Sequence, residues 1–334
     1  MSYSPRNMLV TGGAGFIGAN FVHVALGADP ALRIVNLDKM TYAAHRENLD
    51  GLCDPGRHLL VEGDICDRTL VDRLLREHEI DTIVHFAAES HVDRSISGPG
   101  EFVQTNVIGT YTLLEAARGY WLDEKGWDAA DCRFHHISTD EVFGTLGPQD
   151  PPFAETTPYA PNSPYSASKA GSDHLARAWH HTFGLPVTTT NCSNNYGPRQ
   201  HGEKLIPTVI RSCAEGKPIP VYGDGSNIRD WLYVEDHCRA IDAVVRKGRN
   251  GETYNVGGRC ERDNLTIVKT ICSVMDEVRP NGAPHERLVT FVTDRPGHDW
   301  RYAIDDRKLA AELSWEPQES FESGIRKTIE WYLR

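Results

Sequence analysis

Residues 7–18 read NMLVTGGAGFIG, an apolar run followed by glycines at positions 12, 13, 15 and 18. The run predicts a buried strand, and the amphipathic stretch from Phe16 to Leu26 predicts a helix directly after it. Glycines between a strand and a helix let the backbone approach a pyrophosphate, whose charge then lies on N–H groups at the helix N-terminus. The spacing therefore indicates a dinucleotide site, although a glycine triplet alone also fits a simple strand-to-helix turn.

Short strand-like segments alternate with longer amphipathic ones through the first half of the chain. The strand-like segments are RIVNL (33–37), HLLVEGD (58–64), DTIVHFAA (81–88) and RFHHIS (133–138), and the helical ones include 70–78 and 102–117. Such alternation predicts βαβ units, with helices on both faces of a parallel sheet and ligands at the carboxyl ends of the strands. The expected fold class is α/β, a Rossmann-type doubly wound parallel sheet.

The second half of the chain predicts a smaller C-terminal substrate-binding domain. Residues 163–183 form one long helical stretch ended by Gly184-Leu185-Pro186, and residues 191–230 are rich in Asn, Pro and Gly. The tail from about Arg259 contains helices separated by polar loops. We expect residues 1–190 to form the dinucleotide-binding domain, together with about 230–257, and residues 191–229 and 258–334 to form the substrate-binding domain.

Composition and charge argue against several classes of function. The formal net charge of −12 argues against a nucleic-acid partner, and no apolar stretch is long enough to predict a membrane partner. The eight cysteines form no C-x-x-C pair and the fifteen histidines show no ligand spacing, so we expect no metal site. The chain enters its first strand without a signal-like segment, which predicts a cytoplasmic protein with reduced cysteines.

Acidic and polar residues follow the second, third and fourth predicted strands. Asp38 is placed to bind the adenine ribose hydroxyls and would repel a 2′-phosphate, so the expected cofactor is NAD rather than NADP. Asp64-Ile65 and the segment Ala87-Ala88-Glu89-Ser90 come after the next two strands. We expect these residues to lie at the rim that holds the adenine and nicotinamide halves.

Tyr165 and Lys169 are one helical turn apart, so both side chains leave the same face of the long helix. A neighbouring ammonium and a positively charged nicotinamide both favour the phenolate form of a tyrosine. Tyr165 is then able to take a hydroxyl proton while a hydride leaves the carbon. The alternative is an ordinary surface contact between residues four apart.

The segment Ser138-Thr139-Asp140-Glu141 directly follows a predicted strand, at the carboxyl edge of the sheet. Two adjacent carboxyl groups in different environments allow one to act as an acid while the other acts as a base. The alternative is a solvated acidic loop or the cap of a following turn.

A dehydration explains why a dinucleotide and an acid–base pair would share one site. A sugar C5 hydrogen becomes acidic only when C4 is a ketone, so C4 must first be oxidised by NAD. Glu141 would then remove the C5 proton while Asp140 protonates the departing C6 hydroxyl. The enone would accept the stored hydride at C6, so the net redox change is zero.

Long motifs across most of the chain resemble those of one family, the dTDP-glucose 4,6-dehydratases among the extended short-chain dehydrogenases/reductases. They are TGGAGFIG (11–18), HFAAESHVDRSI (85–96), STDEVFG (138–144), NSPYSASKAGSDHLARAW (162–179), NCSNNYGP (191–198), EKLIP (203–207), RDWLYVEDH (229–237), YNVGG (254–258) and DRPGHDWRYAID (294–305). The resemblance implies conversion of dTDP-glucose, a nucleotide-diphosphate hexose, to dTDP-4-keto-6-deoxyglucose, a step of deoxysugar biosynthesis. It also implies a homodimer that pairs through helices at about 102–117 and 163–183.

The resemblance further implies a role for individual residues. Thr139 would bind near the C4 oxygen, with Asp140 as acid, Glu141 as base, and Tyr165 with Lys169 driving oxidation. The cofactor would contact Gly12, Gly15, Phe16, Ile17, Gly18, Asp38, Lys39, Thr41, Asp64, Ile65, Ala87, Ala88, Ser90, Thr105, Tyr165, Lys169 and Asn195. The substrate would contact Ser90, Thr139, Asn194, Lys204, Leu205, Pro220, Val221, Tyr222, Arg229, Asn264, Asp294, Arg295, Pro296, Gly297 and His298. A guanidinium fork at Arg229 matches diphosphate oxygens, although without the resemblance Arg229 reads as a surface residue.

The sequence departs from the family pattern at three places and leaves other functions open. Phe143 replaces a tyrosine, Asn20 replaces a serine, and RQHG at 199–202 replaces an aromatic-His-Phe-Pro run. The alternatives are a UDP-hexose 4,6-dehydratase, a nucleotide-sugar 4-epimerase or decarboxylase, and a catalytically silent NAD-binding scaffold. An epimerase or decarboxylase would not need the Asp140–Glu141 pair, and a silent scaffold would be expected to lack Tyr165 or Lys169.

Overall fold

Seven parallel strands form the main sheet of the protein in a computed structural model that describes residues 3–294 and 299–334. The strands are β1 (Asn7–Thr11), β2 (Arg33–Asp38), β3 (His58–Glu62), β4 (Thr82–His85), β5 (Arg133–Thr139), β6 (Val187–Cys192) and β10 (Thr253–Val256), in the spatial order β10-β6-β5-β4-β1-β2-β3. The order reverses between β1 and β4, where Thr11 pairs with Leu37 on one side and His85 on the other. A crevice opens at such a reversal, at the carboxyl ends of the strands. The predicted doubly wound fold is confirmed.

Helices cover both faces of this sheet. Helices α1 (Phe16–Ala28) and α8 (Val234–Lys247) pack on one face, and α2 (Arg68–Glu77), α5 (Thr110–Ala117) and α6 (Pro164–Phe183) pack on the other. The start of α6 is set by the capping box between Ser163 and Ser166, with Pro164 at the first helical position. The helix ends at Gly184, which adopts a left-handed conformation with φ of 76°. These end signals are local, which is why the sequence predicted α6 to within one residue.

Residues 102–117 are helical as predicted, but the helical segment extends beyond both predicted ends and part of it is π-helical. After α3 (Val92–Ser97), the chain forms α4 (Pro99–Phe102), a π-helical stretch Val103–Gly109, α5, and a second π-helical stretch Arg118–Glu124. Apolar periodicity does not distinguish a π-helical turn from an α-helical one. The wider turns place Asn106 where its side chain accepts a hydrogen bond from the backbone N–H of Glu89 (2.8 Å) and donates to Ser168 Oγ (2.8 Å).

The remaining elements form a smaller unit beside the sheet. Its strands are β7 (Asn194–Tyr196), β9 (Ile228–Tyr233) and β11 (Glu261–Asp263) in one sheet, and β8 (Ile219–Tyr222) with β12 (Val289–Val292) in another. Its helices are α7 (Leu205–Glu215), α9 (Asn264–Val278) and α11 (Phe321–Tyr332). Helix α10 (Arg307–Leu313) instead packs through Leu309 against α8 and β10 beside the large sheet. Helices α7, α9 and α11 share one apolar core with β8 and β9. No helix in the part of the chain that the structure describes is long and apolar enough to cross a membrane.

The glycine loop after β1 brings β4 and α1 into close backbone contact. Gly12 has φ of +71°, and a Cβ at this position would lie 2.7 Å from the backbone N of Ala87. A Cβ at Gly18 would lie 2.3 Å from the carbonyl oxygen of Gly12. Both positions therefore require glycine for the loop to close against the sheet.

Replacing Gly12 with alanine is expected to lower the melting temperature and to abolish NAD binding, because the loop must move away from Ala87. We expect a cost of about 1–3 kcal/mol, the usual range for a residue forced into a strained backbone conformation. Gly27→Ala is the matched control, because Gly27 lies in α1 and a Cβ added there would have nothing within 4 Å. Thermal unfolding and NAD titration of both variants check this, and equal behaviour of the two would contradict it.

Candidate active site

A cleft lies along the carboxyl ends of β1, β2, β4, β5 and β6. Every residue predicted to bind the cofactor lines it: Gly12, Gly15, Phe16, Ile17, Gly18, Asp38, Lys39, Thr41, Asp64, Ile65, Ala87, Ala88, Ser90, Thr105, Tyr165, Lys169 and Asn195. Thr139, Asp140 and Glu141 line the same cleft. The fold thus brings the proposed cofactor residues and the proposed acid–base residues to one place.

The end of the cleft near β1 and β2 fits a dinucleotide. The N-cap residue of α1 is Gly15, which has no side chain to cap the helix, so the first N–H groups of α1 are available to a pyrophosphate. The Asp38 carboxylate accepts hydrogen bonds from the backbone N–H groups of Ala14 (2.9 Å) and Met40 (2.9 Å). Burial raises the pKa of Asp38 above its usual value. Asp38 therefore also holds the glycine loop in shape, a role that the sequence did not reveal.

Asp140 occupies an unusual environment for a carboxyl group. Its side chain is 2% exposed, and its Oδ2 atom has no hydrogen-bond partner within residues 3–294 and 299–334. Burial, the neighbouring Glu141 and the nearby Asp230 raise the pKa of Asp140 well above its usual range. A carboxyl group in this setting keeps its proton to a higher pH than an ordinary aspartic acid does, and is suited to donate it.

Glu141 lies beside Asp140 in a more open position. Its backbone N–H donates to Thr139 Oγ1 (3.3 Å), which caps the short 3₁₀ turn Asp140–Phe143. The Glu141 side chain is half-buried, whereas Asp140 is buried. The two neighbouring carboxyl groups therefore differ in environment, as a division between an acid and a base requires.

Tyr165 and Lys169 project from the same face of α6 into the cleft, and both are buried. The ammonium of Lys169 donates to the carbonyl oxygen of Ile137 (2.7 Å). Burial, followed by the Glu141 carboxylate, raises the pKa of Tyr165 well above its ordinary value, and burial lowers the pKa of Lys169. From the sequence alone, only the positive charges near the phenol were expected to affect its pKa. In the protein itself, burial has the larger effect on Tyr165.

The residues predicted to bind the substrate fall into three groups. Ser90, Thr139, Asn194 and Lys204 line the cleft. Leu205, Pro220, Val221, Tyr222, Arg229, Asn264 and Asp294 lie in or beside elements of the smaller unit and do not line this cleft. Arg295, Pro296, Gly297 and His298 lie outside the described residues.

Arg229 is buried. Without the family resemblance, its sequence context had suggested a surface position. Its guanidinium donates to the carbonyl oxygens of Ile228 (2.7 Å) and Asp299 (2.9 Å). It also lies 4.3 Å from the ring centroid of Tyr302. These contacts hold the guanidinium in one place, and its charge partly opposes the rise in the pKa of Asp140.

The histidine pair His135/His136 belongs to the core of the sheet. His135 hydrogen-bonds to the hydroxyls of Thr188 (2.9 Å) and Thr190 (3.2 Å), and His136 to the carboxylate of Asp173 (2.9 Å). Among the residues that the structure describes, no three His, Cys, Asp or Glu side chains are grouped to hold a metal ion.

Comparisons with known proteins identify the family of this chain. The family model described as GDP-mannose 4,6 dehydratase matches residues 9–328. The dTDP-glucose 4,6-dehydratase of Xanthomonas campestris pv. campestris (strain B100) is 60% identical over 97% of this chain and 92% of its own length. The chain belongs to the dTDP-glucose 4,6-dehydratase family. The corresponding enzyme of Escherichia coli (strain K12) is 55% identical over 98% of this chain and 92% of its own.

Solved structures of the dTDP-glucose 4,6-dehydratase family share the architecture. The enzyme from Streptomyces venezuelae, solved with NAD bound, has a TM-score of 0.88 at 46% identity, covering 98% of this chain and 97% of that one. A UDP-glucose 4-epimerase from Thermotoga maritima has a TM-score of 0.85 at 27% identity, covering 98% of each chain. The fold is thus common to dehydratases and epimerases, and only the site separates the two activities.

Two departures from the dTDP-glucose 4,6-dehydratase pattern contact each other. Arg199 donates to Asn20 Oδ1 (3.0 Å) and to the carbonyl oxygen of Asn48 (2.9 Å), and Asn20 donates to the carbonyl oxygen of Pro198 (3.0 Å). These bonds attach the loop after β7 to α1. The third departure, Phe143, is buried, with its ring stacked 5.1 Å from that of Phe153.

Some cleft residues were missed by sequence reasoning. The guanidinium of Arg94 lies over the ring of Tyr42, 3.5 Å from the ring centroid. The ring of His201 packs edge-on against the same Tyr42 ring. Glu203 accepts from Arg94 (3.2 Å) and lies 3.4 Å from His91 Nε2. No local spacing indicates this cluster, because its members come from separate segments of the chain.

Proposed function

We propose that this protein dehydrates dTDP-glucose to dTDP-4-keto-6-deoxyglucose with NAD as its cofactor. The observation that carries the proposal is the pairing of a buried Asp140 with a more open Glu141, in the same cleft as Tyr165 and Lys169. Relatives that are 53–60% identical over nearly the whole chain bear the name of this activity. An epimerase would have no use for the carboxyl pair.

The first half of the reaction uses Tyr165 and Lys169. NAD held in the cleft would supply the hydride acceptor for C4 and, later, the hydride donor for C6. With NAD in place, the positive nicotinamide and the Lys169 ammonium would favour the phenolate form of Tyr165. That phenolate would take the proton of the C4 hydroxyl, and Thr139, at the end of β5, would hold the oxygen. The ammonium of Lys169 is held by the carbonyl of Ile137, so its charge stays beside the phenol as the proton moves.

The second half uses the carboxyl pair. Once C4 is a ketone, Glu141 removes the proton from C5. Asp140 gives its proton to the C6 hydroxyl, and water leaves as the C5–C6 double bond forms. When C6 has received the hydride, C5 regains a proton, and the product keeps the C4 ketone.

Binding of the nucleotide part is assigned to the smaller unit. We propose that residues 191–229 and 258–334 form the nucleotide-sugar-binding domain, and that residues 1–190 with about 230–257 form the NAD-binding domain. Helix α8 and strand β10 lie within residues 230–257; α8 packs on the large sheet and β10 is one of its strands. The residues proposed to hold the substrate are Ser90, Thr139, Asn194, Lys204, Leu205, Pro220, Val221, Tyr222, Arg229, Asn264 and the segment 294–298.

We further propose a homodimer and a cytoplasmic location. Several large apolar side chains that are exposed in the single chain support the dimer. They lie on α3, on the π-helical stretch after α4, on α5 and at the end of α6: Ile96, Val103, Ile108, Tyr111 and Phe183. All eight cysteines are free, as expected in a reducing compartment. Sedimentation of the purified protein tests the dimer.

Isotope tracing tests the reaction. With dTDP-glucose carrying deuterium at C4, turnover in ordinary water is expected to deliver that deuterium to C6. Turnover of unlabelled substrate in heavy water is expected to place solvent deuterium at C5. Solvent deuterium at C6 would refute the internal transfer, and formation of dTDP-galactose would favour epimerisation. UDP-glucose and GDP-mannose, offered in parallel with mass analysis of the products, test the nucleotide preference.

A further inference from the structure

The active-site face of α6 carries a third polar side chain beyond the catalytic pair. Tyr165, Lys169 and Asp173 are spaced four residues apart, so they follow one another along the same face of the helix. All three are buried, and Asp173 is 5% exposed. The reaction described above gives Asp173 no role.

Three hydrogen bonds converge on the Asp173 carboxylate. His136 Nε2 lies 2.9 Å from Oδ1, and Oδ2 accepts from Ser138 Oγ (2.7 Å) and Tyr159 OH (3.0 Å). Burial alone would raise the pKa of Asp173, but the donors and the nearby Lys169 hold it below the ordinary value. Burial lowers the pKa of His136, although its hydrogen bond and charge interaction with Asp173 oppose that effect. Asp173 is therefore a buried negative charge.

Lys169 is the buried positive charge nearest in sequence to this carboxylate. Its ammonium donates to the carbonyl of Ile137, and no carboxylate among residues 3–294 and 299–334 forms an ion pair with it. A buried ammonium without a counter-charge tends to lose its proton. The ionisable groups that affect Lys169, or are affected by it, are Asp173 on its own helix, His85 on β4, His136 on β5 and Cys192 on β6.

From this arrangement we infer that Asp173 is a positioning residue that keeps Lys169 protonated during C4 oxidation. The same carboxylate anchors Ser138, the residue before Thr139, so it also fixes the end of β5 relative to α6. Asp173 acts through Lys169 and Ser138 and does not line the cleft. The inference rests on the proposed function, because Lys169 is assigned to the oxidation step there.

The test measures the charge on Lys169 directly. In lysine-labelled protein, NMR of the side-chain Cε and Nζ groups, assigned with Lys169→Met, gives the pH at which Lys169 loses its proton. Removal of the carboxylate in Asp173→Asn is expected to lower that pH by about one unit or more. Tyr159→Phe is the matched control, because it removes one hydrogen bond to Asp173 and keeps the charge. If Asp173→Asn does not fold, Asp173→Ser serves the same purpose.

Kinetics supply a second measurement. After rapid mixing with dTDP-glucose, the rate at which reduced nicotinamide absorbance appears should decrease as the pH is raised past the pKa of Lys169. In Asp173→Asn this decrease should begin at a lower pH than in the wild type, and in Tyr159→Phe it should begin at the wild-type pH. Equal Lys169 titrations in the wild type and Asp173→Asn, or an equal shift in Tyr159→Phe, would overturn the inference. If the wild type forms no dTDP-4-keto-6-deoxyglucose, the proposed function fails, while the NMR titration still decides the role of Asp173.

Discussion

Glu141→Gln is expected to stop the dehydration after the first step. The variant should bind NAD and oxidise C4, because Tyr165 and Lys169 are unchanged, but the glutamine amide cannot take the C5 proton. Removal of a general base costs about 10²–10⁴-fold in rate, so overall turnover should fall by that factor. Rapid-mixing absorbance is expected to show reduced nicotinamide that persists, because the hydride has no enone to return to.

Exchange at C5 provides the sharpest readout for Glu141. In heavy water, the wild type should place deuterium at C5, and Glu141→Gln should lose this exchange along with turnover. Glu155→Gln is the matched control, since Glu155 is half-buried outside the cleft and accepts a hydrogen bond from the backbone N–H of Asn255 (2.9 Å). Full dehydratase turnover by Glu141→Gln would show that another group is the base.

Asp140→Asn is expected to lose the protonation of the departing C6 hydroxyl. Turnover of dTDP-glucose should fall by about 10²–10⁴-fold, the usual contribution of a general acid. A substrate with fluorine in place of the C6 hydroxyl separates this role from a structural one, because fluoride needs less help from an acid to leave. The variant should therefore be impaired much less with the fluorinated sugar. Equal losses with both substrates would contradict the assignment.

The raised pKa of Asp140 also predicts how stability depends on pH. The folded protein holds the Asp140 proton at pH values where the unfolded chain has released it, so folding is favoured at low pH. This contribution declines as pH rises from about 4, the ordinary aspartate value, through the raised pKa of the folded state. At neutral pH, Asp140→Asn should therefore melt at a higher temperature than the wild type. Asp150→Asn is the matched control for loss of a carboxylate, because Asp150 is exposed and accepts a hydrogen bond from the backbone N–H of Gly147 (2.7 Å).

The dinucleotide half of the molecule was predictable because its signals are local. The glycines at 12, 15 and 18, the strand before them and Asp38 after the next strand each follow from short spacings, and the carboxyl ends of parallel strands meet at one edge. The capping residues of α6 likewise lie within a few positions of its ends. The π-helical winding of residues 103–109 was not predictable, since it leaves the apolar pattern unchanged.

The sequence by itself determined which chemical groups this protein possesses: a glycine loop, a carboxylate after β2, a tyrosine and a lysine one helical turn apart, and two adjacent carboxyl groups at a strand end. Only the tertiary structure decided how those groups differ. It buries Asp140 and leaves Glu141 more open, places Arg229 in the interior, and brings the Asp173 carboxylate into a hydrogen bond with Ser138. The physical reason is that burial and distant charges control proton affinity, and both arise from segments far apart in the chain.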